Sequence, residues 1–278
     1  MELLVSLIRK HLLYIKINPL TLNPIKLRAN SGITGLAKYK DGYVGVCFRF
    51  PHLLYFNKNF KLEDHWHVPN MKLGHSIIPF NGKYYIAASG NDKIIEIDLE
   101  KKEFSDFYKI DPEIPSSKET DTVHLNSVTV FQNQICFSQF GDLGLENTKN
   151  KGSIQTVKGK ILFSGLFHPH TTLGYKNSLF FCDSMNATIR QDNQELKIPG
   201  YARGLAINDK YLVVGISAAR KKSERTGEKI KEFKYPGQQA PQPSILIFER
   251  AEKLADYKLI KEINLDGYTN EIYDILIL

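Results

Sequence analysis

The chain has 278 residues, of which 42% are hydrophobic and 24% charged, a balance that excludes an intrinsically disordered protein. It contains no run of about 18 apolar residues, so a transmembrane helix is not expected. The net charge is +7, but residues 218–235 hold seven Lys or Arg and three Glu and thus supply +4 of it. Because the remainder is only mildly basic, nucleic-acid binding is not expected.

The first predicted elements are strands within residues 1–17. The apolar run there is short, and it carries Glu2 where a targeting peptide has positive charge. Cys47, Cys136 and Cys182 follow at wide spacings inside apolar runs, which predicts buried, reduced thiols. We therefore expect a cytoplasmic protein that does not enter membranes.

Short β-rich runs follow along the whole chain, whereas helical periodicity is weak. In order, the strongest runs are YVGVCF, KYYIAAS, KIIEIDL, QICFSQF, SLFFCDS, YLVVGIS, SILIFER and YDILIL. Polar turns separate them, among them Asp41-Gly42, Asn81-Gly82 and Asn208-Asp209. The pattern predicts an all-β fold.

These runs belong to a repeat in which a distinctive residue, a short apolar stretch and a polar turn precede a strong strand. The residues that mark successive units are Thr34, His75, His124 with Asn126, His170, Arg203 and Glu271. The first three intervals are 41, 49 and 46 residues, which is the length of a four-stranded propeller blade. The next is 33 residues, and the last, of 68, contains the basic segment.

The repeat predicts one six-bladed β-propeller over residues 1–278. The basic loop 218–240 would be an insertion in the last complete blade. The strand Tyr273–Leu278 would complete a blade begun by residues 1–20. This pairing of the two ends closes the ring and removes free sheet edges.

The marker residues are the candidate functional site. The innermost strand of every blade lines the central channel, so residues at the strand beginnings meet at one mouth. We expect this of His75, His124, Asn126, His170, Arg203 and Glu271. Channel-lining residues are also often polar simply because the channel holds water, and that alternative stays open.

Four segments resemble a bacterial family of propeller proteins filed as a domain of unknown function, whose blades carry H-x-N-D, P-H-S-P-R, P-G-F-x-R-G and E-I-x-D. Here the segments read His124-Leu125-Asn126-Ser127, Pro169-His170-Thr171-Thr172, PGYARG over residues 199–204, and Glu271-Ile272-Tyr273-Asp274. The likeness covers about residues 120–278 and implies the fold and the site, without a reaction. Ser127 stands in place of Asp, and Thr172-Leu173 in place of Pro-Arg.

A shorter stretch resembles another propeller family. Asp121–Val128, DTVHLNSV, is similar to the H-x-N-S stretch of arylsulfate sulfotransferases, which are also six-bladed. That resemblance implies that histidines, an asparagine and an arginine hold a sulfuryl group. It also implies that a histidine is the nucleophile.

The first functional hypothesis is an enzyme that acts on a small anionic substrate. The arginine would hold a carboxylate, sulfate or phosphate, and the asparagine would donate to developing negative charge. A histidine would be general base or nucleophile, oriented by the glutamate. The catalytic candidates are His124, His170 and Glu271, and the substrate-binding candidates are Asn126, Arg203, Arg220 and Tyr201. Transferase, lyase and hydrolase chemistry all stay open.

The second hypothesis is a metal site. Three histidines and one carboxylate form a ligand set suited to Zn, Mn or Fe. Those residues are His75, His124, His170 and Glu271. The fixed positive charge of Arg203 nearby argues against a cation there.

The third hypothesis is a non-catalytic propeller that serves as a platform for a ligand or a protein. The basic loop 218–235 would then dock an acidic partner. If Arg220 and its neighbours fold over the mouth instead, the loop would be a lid. Fold by itself does not choose between these functions.

Overall fold

The computed structural model describes residues 1–7, 11–27, 32–143, 150–218 and 242–278. Within these ranges the chain forms six antiparallel sheets of four strands each, and the sheets form a ring around a central channel. The fold is therefore the six-bladed β-propeller that the sequence predicts. No helix in the same ranges is both long and apolar enough to cross a membrane.

Each blade is one sheet of four strands. Blade 1 consists of β1 (Glu2–Leu7), β2 (His11–Ile17), β3 (Leu20–Lys26) and the last strand of the chain, β24 (Ile272–Ile277). Blade 2 consists of β4 (Ile33–Tyr39), β5 (Gly42–Cys47), β6 (His52–Phe56) and β7 (Leu62–His67), and blade 3 of β8 (Gly74–Phe80), β9 (Lys83–Ala88), β10 (Lys93–Asp98) and β11 (Glu103–Lys109). Blade 4 consists of β12 (Leu125–Phe131), β13 (Gln134–Gln139), β14 (Gly152–Thr156) and β15 (Ile161–Leu166). Blade 5 consists of β16 (Pro169–Tyr175), β17 (Ser178–Asp183), β18 (Thr188–Gln191) and β19 (Gln194–Lys197), and blade 6 of β20 (Tyr201–Ile207), β21 (Tyr211–Ser217), β22 (Ser244–Glu249) and β23 (Lys258–Asn264). Short 3-10 turns in the described chain span Ser89–Asn91, Ser184–Asn186 and Leu254–Asp256.

The ring closes inside blade 1. There β24 runs antiparallel to β1, with Ile275 opposite Val5 and Ile277 opposite Leu3. The N–H of Asp274 also donates to Oγ of Ser6 at 2.7 Å. The innermost strand of this blade thus comes from the last residues and the other three strands from the first, which confirms the predicted closure.

The hydrophobic core lies between neighbouring blades. In β21, Leu212 and Val214 pack in one cluster with Phe180 of blade 5, whereas Val213 packs in another with Leu3 of blade 1. Successive side chains of a strand point to opposite faces of its sheet, and here another blade covers each face. For this reason the middle strands read as continuous apolar runs instead of alternating apolar and polar residues.

The predicted basic insertion lies between β21 and β22. Residues 219–241, with Arg220 among them, lie outside the described residues. Just before them, the N–H of Ala218 donates to the carbonyl oxygen of Asn270 at 2.8 Å. The chain therefore leaves β21 beside the start of β24, at the end of the channel where the innermost strands begin.

Candidate functional site

Each innermost strand in the described chain carries a β-bulge near its beginning. There two residues oppose a single residue of the second strand of the blade. A bulge bends the strand and redirects the side chain of the extra residue. The first residues of the bulges, from blade 1 to blade 6, are Tyr273, Thr34, His75, Asn126, Thr171 and Arg203.

The bulges show which markers of the sequence repeat are structurally equivalent. Thr34, His75, Asn126 and Arg203 occupy a bulge, whereas His170 and Glu271 precede it, as does His124, which shares its blade with Asn126. The equivalent residues in those blades are Thr171 and Tyr273. In these two blades the alignment of the sequence repeat differs from the structural equivalence. A bulge changes the register of its strand, and no characteristic residue type marks its position.

A cavity of about 340 Å³ lies in the channel, and all six innermost strands contribute to its walls. Three of the predicted site residues line it, namely His75, Asn126 and His170. The other predicted residues lie beside these, at the strand beginnings. The ring centres of His124 and His75 are 5.0 Å apart. Cζ of Arg203 is 4.5 Å from the ring centre of Tyr273, which also lines the cavity.

The hydrogen bonds of His170 define which ring nitrogen carries its proton. Nδ1 is 2.9 Å from the carbonyl oxygen of His168 and 2.9 Å from Oγ of Ser184. The carbonyl can only accept, and the Ser184 hydroxyl already donates its proton to the carbonyl of Ala202 at 2.7 Å. Nδ1 must therefore be the donor, which leaves Nε2 without a proton in the neutral ring.

The unprotonated nitrogen of His170 is buried in a side chain that belongs to the cavity lining. The side chain is buried, with 3% of the residue exposed, and it lines the cavity. Nε2 has no hydrogen-bond partner within the described part of the chain. Burial, and then the positive charge of Arg203, hold the pKa of His170 well below its usual range. The ring is thus neutral and presents a bare nitrogen near neutral pH.

A second histidine is oriented by a carboxylate. Nδ1 of His124 is 2.9 Å from Oδ1 of Asp121, so Nδ1 is the donor in this contact. Nε2 is the ring nitrogen that does not contact Asp121. The Asp121–His124 segment is itself held by Asp92, whose carboxylate accepts from the N–H of Thr122 at 2.6 Å and from that of Val123 at 3.3 Å. The orienting role that the sequence analysis gave to Glu271 is thus filled at His124 by Asp121.

Glu271 instead forms an ion pair with Arg203. Nη1 of Arg203 donates to Oε2 of Glu271 at 3.2 Å, and the two side chains are only 8% and 7% exposed. The guanidinium also lies over Tyr273 and within 5.3 Å of the ring centre of Tyr201. Residues from blades 6 and 1 therefore hold a fixed positive charge next to the cavity.

The structure corrects the predicted metal site. No group of three or more His, Cys, Asp or Glu side chains among the described residues is placed to hold a metal ion. The carboxylate of Glu271 is engaged by Arg203, and the rings of His75 and His124 meet edge to face at 72°. The set proposed for Zn, Mn or Fe, consisting of His75, His124, His170 and Glu271, does not come together as a ligand group.

Asp274 is a cavity residue that the sequence analysis did not select. Its carboxylate accepts from the N–H of Leu36 at 2.8 Å and from that of Ile275 at 2.9 Å. Burial raises the pKa of Asp274 to about 7. The sequence signal for Asp274 is the E-I-x-D segment, which ends with it, but the predicted role falls on Glu271 of that segment alone.

Side chains of one innermost strand bind main-chain groups of the next, and we call these contacts the inter-blade links. Each link uses a side-chain oxygen that accepts a main-chain N–H across the gap between blades. The links include Asp274 to Leu36, Ser76 to Val128, Ser127 to Thr172, Thr129 to Gly174, and Thr171 to Gly204, at 2.8 to 3.2 Å. They fix the bulges relative to one another and hold the site residues in a common layer.

These features define the class of the protein: a six-bladed β-propeller whose channel is lined in part by a buried, neutral histidine beside a fixed positive charge. Residues 110–278 match the family described as Domain of unknown function (DUF4915). The match covers more than half of the chain, which therefore belongs to this family. This confirms the predicted resemblance to a propeller family of unknown function. A search of curated proteins gave no match.

Solved structures with the same architecture include both enzymes and binding proteins. A chain in the crystal structure of a nidogen/laminin complex has a TM-score of 0.67 and 13% identity, covering 99% of this chain and 97% of that one. A protein of unknown function from Bacteroides caccae has a TM-score of 0.64 and 10% identity, with the same coverages of 99% and 97%. Virginiamycin B lyase from Staphylococcus aureus has a TM-score of 0.51 and 14% identity, covering 86% and 84%. At these identities the likeness shows the fold alone.

Proposed function

We propose that this protein is an enzyme that uses His170 as a general base on a small anionic substrate at the entrance of the channel. The observation that carries the proposal is the state of His170. Its proton lies on Nδ1, its side chain belongs to the cavity lining, and its buried Nε2 has no hydrogen-bond partner in the described chain. A neutral imidazole with one bare nitrogen accepts a proton from a bound substrate or from an attacking water.

The groups around His170 suit a substrate that carries negative charge. Arg203 places a fixed positive charge beside the ring, and its pairing with Glu271 limits where the guanidinium can move. Nδ2 of Asn126 is buried at the cavity without a described hydrogen-bond partner. It would donate to a substrate oxygen on which charge develops.

The His124 and Asp121 pair would serve as a second acid or base. Its imidazole is oriented by the carboxylate at 2.9 Å, which is the arrangement that a proton-transferring histidine needs. One histidine would remove a proton, and the other would return one to the leaving group. This division of work fits lyase, hydrolase and transferase chemistry alike.

The alternative function is a non-catalytic platform for a ligand or an acidic protein. Propellers of this architecture occur among enzymes such as the lyase and in complexes such as nidogen/laminin, so the fold does not decide between the two. The basic loop 218–235, which would dock the partner, lies almost wholly outside the described residues. The oriented imidazoles of His170 and His124 favour the enzyme.

The test is turnover by the wild-type chain and by His170→Gln. Both would be incubated with a panel of carboxylate, sulfate and phosphate esters, and the products followed by NMR spectroscopy. We expect conversion of at least one ester, with kcat about 10²- to 10⁴-fold lower in His170→Gln. The control His65→Gln, on the exposed outer strand β7, should retain full activity. Equal turnover by His170→Gln and wild type, or no conversion of any ester, would contradict the proposal.

A further inference from the structure

The cavity has a polar end and an apolar wall. At the polar end lie the bulge residues and His170. The wall is aliphatic because, in every blade, the residue that follows the bulge is Leu, Ile or Val and lines the cavity. Those residues are Leu36, Ile77, Val128, Leu173, Leu205 and Ile275.

The inter-blade links reduce the polarity of this wall further. An innermost strand has one unpaired edge, whose N–H groups would otherwise face the channel. Several of these N–H groups, such as those of Leu36, Val128 and Gly204, donate instead to side-chain oxygens of the preceding blade. The lining also contains polar side chains, of which Asp274, Ser76 and Ser127 are engaged in these links, and the exposed Lys38. An aliphatic wall whose neighbouring donors are satisfied holds water poorly and favours apolar ligand atoms.

We propose that this cavity holds the apolar part of the substrate, an inference that rests on the proposed function of the same site. The substrate is then an amphipathic small molecule. Its anionic head lies at the strand beginnings near Arg203, its reacting proton lies at Nε2 of His170, and its alkyl or aryl group points down the channel. An apolar cavity of roughly 150 Å³ holds a benzene molecule. The volume here, about 340 Å³, is thus suited to a larger apolar group of up to about ten carbon atoms.

The test is the dependence of affinity on chain length. The probes are 2-hydroxyalkanoates of two to about fourteen carbons, because one end presents a carboxylate and a hydroxyl and the other an alkyl chain that is longer than the cavity in the longest probes. Binding to the full chain would be measured by isothermal titration calorimetry. We expect affinity to rise about three- to fourfold per methylene until the cavity is full and then to level off. An affinity that does not change with chain length, or no binding by any probe, would overturn the proposal.

Substitutions in the cavity wall test whether the alkyl chain of the probe binds there. Leu173→Phe, at a half-buried position, should end the rise at a shorter chain without weakening the shortest probe. Ile78→Thr, also half-buried at the cavity, should lower the gain per methylene, and it serves if the first variant does not fold. The matched control Leu62→Phe, exposed on β7, should behave as wild type. If the folded wall variants show the same gain in affinity per methylene and the same limiting chain length as wild type, the proposal is overturned.

His170→Gln separates this inference from the proposed function. The alkyl group does not need the imidazole, so the gain per methylene should persist in this variant. Should His170→Gln keep full turnover while the gain persists, the general-base proposal fails and the binding proposal stands. If the gain per methylene is absent from wild type and variant alike, the binding proposal fails whatever the turnover.

Discussion

At the scale of single residues, two buried side chains of the cavity lining each have a polar atom that lacks a described hydrogen-bond partner. These atoms are Nε2 of His170 and Nδ2 of Asn126, and the two residues are only 3% and 5% exposed. Buried polar groups in folded proteins are nearly always paired, and leaving one unpaired costs about 1–3 kcal/mol. The substrate proposed above would supply the partner that both atoms lack.

Replacing Asn126 should separate stability from function. Asn126→Leu removes the unpartnered donor and keeps the side-chain volume nearly the same, so we expect an unfolding free energy that is unchanged or higher by about 1 kcal/mol. Binding of the 2-hydroxyalkanoate probes should fall at least tenfold. Urea denaturation and calorimetry would measure the two effects. Asn193→Leu, on an exposed turn, is the control and should leave both unchanged. A clear loss of stability in Asn126→Leu would show that the amide is structural.

At the scale of elements, the bulges and the inter-blade links shape the site together. The bulges turn side chains toward the axis, and the links hold neighbouring bulges in register. Ser127 and Thr172 illustrate this. The N–H of Thr172 in blade 5 donates to Oγ of Ser127 in blade 4 at 3.0 Å.

Ser127 should therefore contribute to stability. Its hydroxyl also lies 2.7 Å from that of Ser138 and 2.8 Å from that of Thr172, all of them buried. We expect Ser127→Ala to lower the unfolding free energy by about 1–3 kcal/mol, because it leaves buried donors without their acceptor. Denaturation by urea would measure it. Ser117→Ala, at an exposed turn, should change stability by less than about 0.5 kcal/mol. A Ser127→Ala variant as stable as this control would contradict the role of the link.

The elements also show why the site could be predicted only in part. The strands and blades were predictable because apolar runs, polar turns and their spacing are local signals that repeat along the chain. The contact between Asp121 and His124 depends on left-handed backbone at both residues, with φ of 45° and 49°, which no residue pattern announces. The ion pair of Arg203 and Glu271 joins residues 68 apart. From the sequence alone, Arg203 is predicted to bind an anion and Glu271 to orient a histidine, so their contact with each other is not predicted.

At the scale of the whole molecule, the closure of the ring depends on a titratable residue. Asp274 lies on β24, the strand that closes blade 1, and it binds the N–H of Leu36 in blade 2. Its pKa is about 7 in the folded chain, against about 3.9 for an unfolded aspartate. Between these values the folded state holds a proton that the unfolded state has lost. The contribution of Asp274 to stability therefore falls as the pH rises from about 4 to about 7.

Asp274→Asn should flatten this part of the pH dependence. The amide keeps one acceptor oxygen and carries no charge at any pH. We expect the loss of unfolding free energy between pH 5 and pH 8 to be smaller than in wild type by roughly 2–3 kcal/mol. Urea denaturation at several pH values would measure it, with Asp41→Asn at an exposed turn as control. The same slope in Asp274→Asn and wild type would rule out Asp274 as the titrating group.

The state of His170 is the central claim, and the most direct measurement is a long-range ¹H–¹⁵N NMR spectrum of the imidazole rings between pH 5.5 and 8. His170→Gln would assign the signal. The geometry predicts a neutral ring protonated on Nδ1 throughout this range, because burial and Arg203 lower its pKa and because His168 and Ser184 both accept from Nδ1. A ring that becomes charged above pH 6, or one that carries its proton on Nε2, would contradict the account.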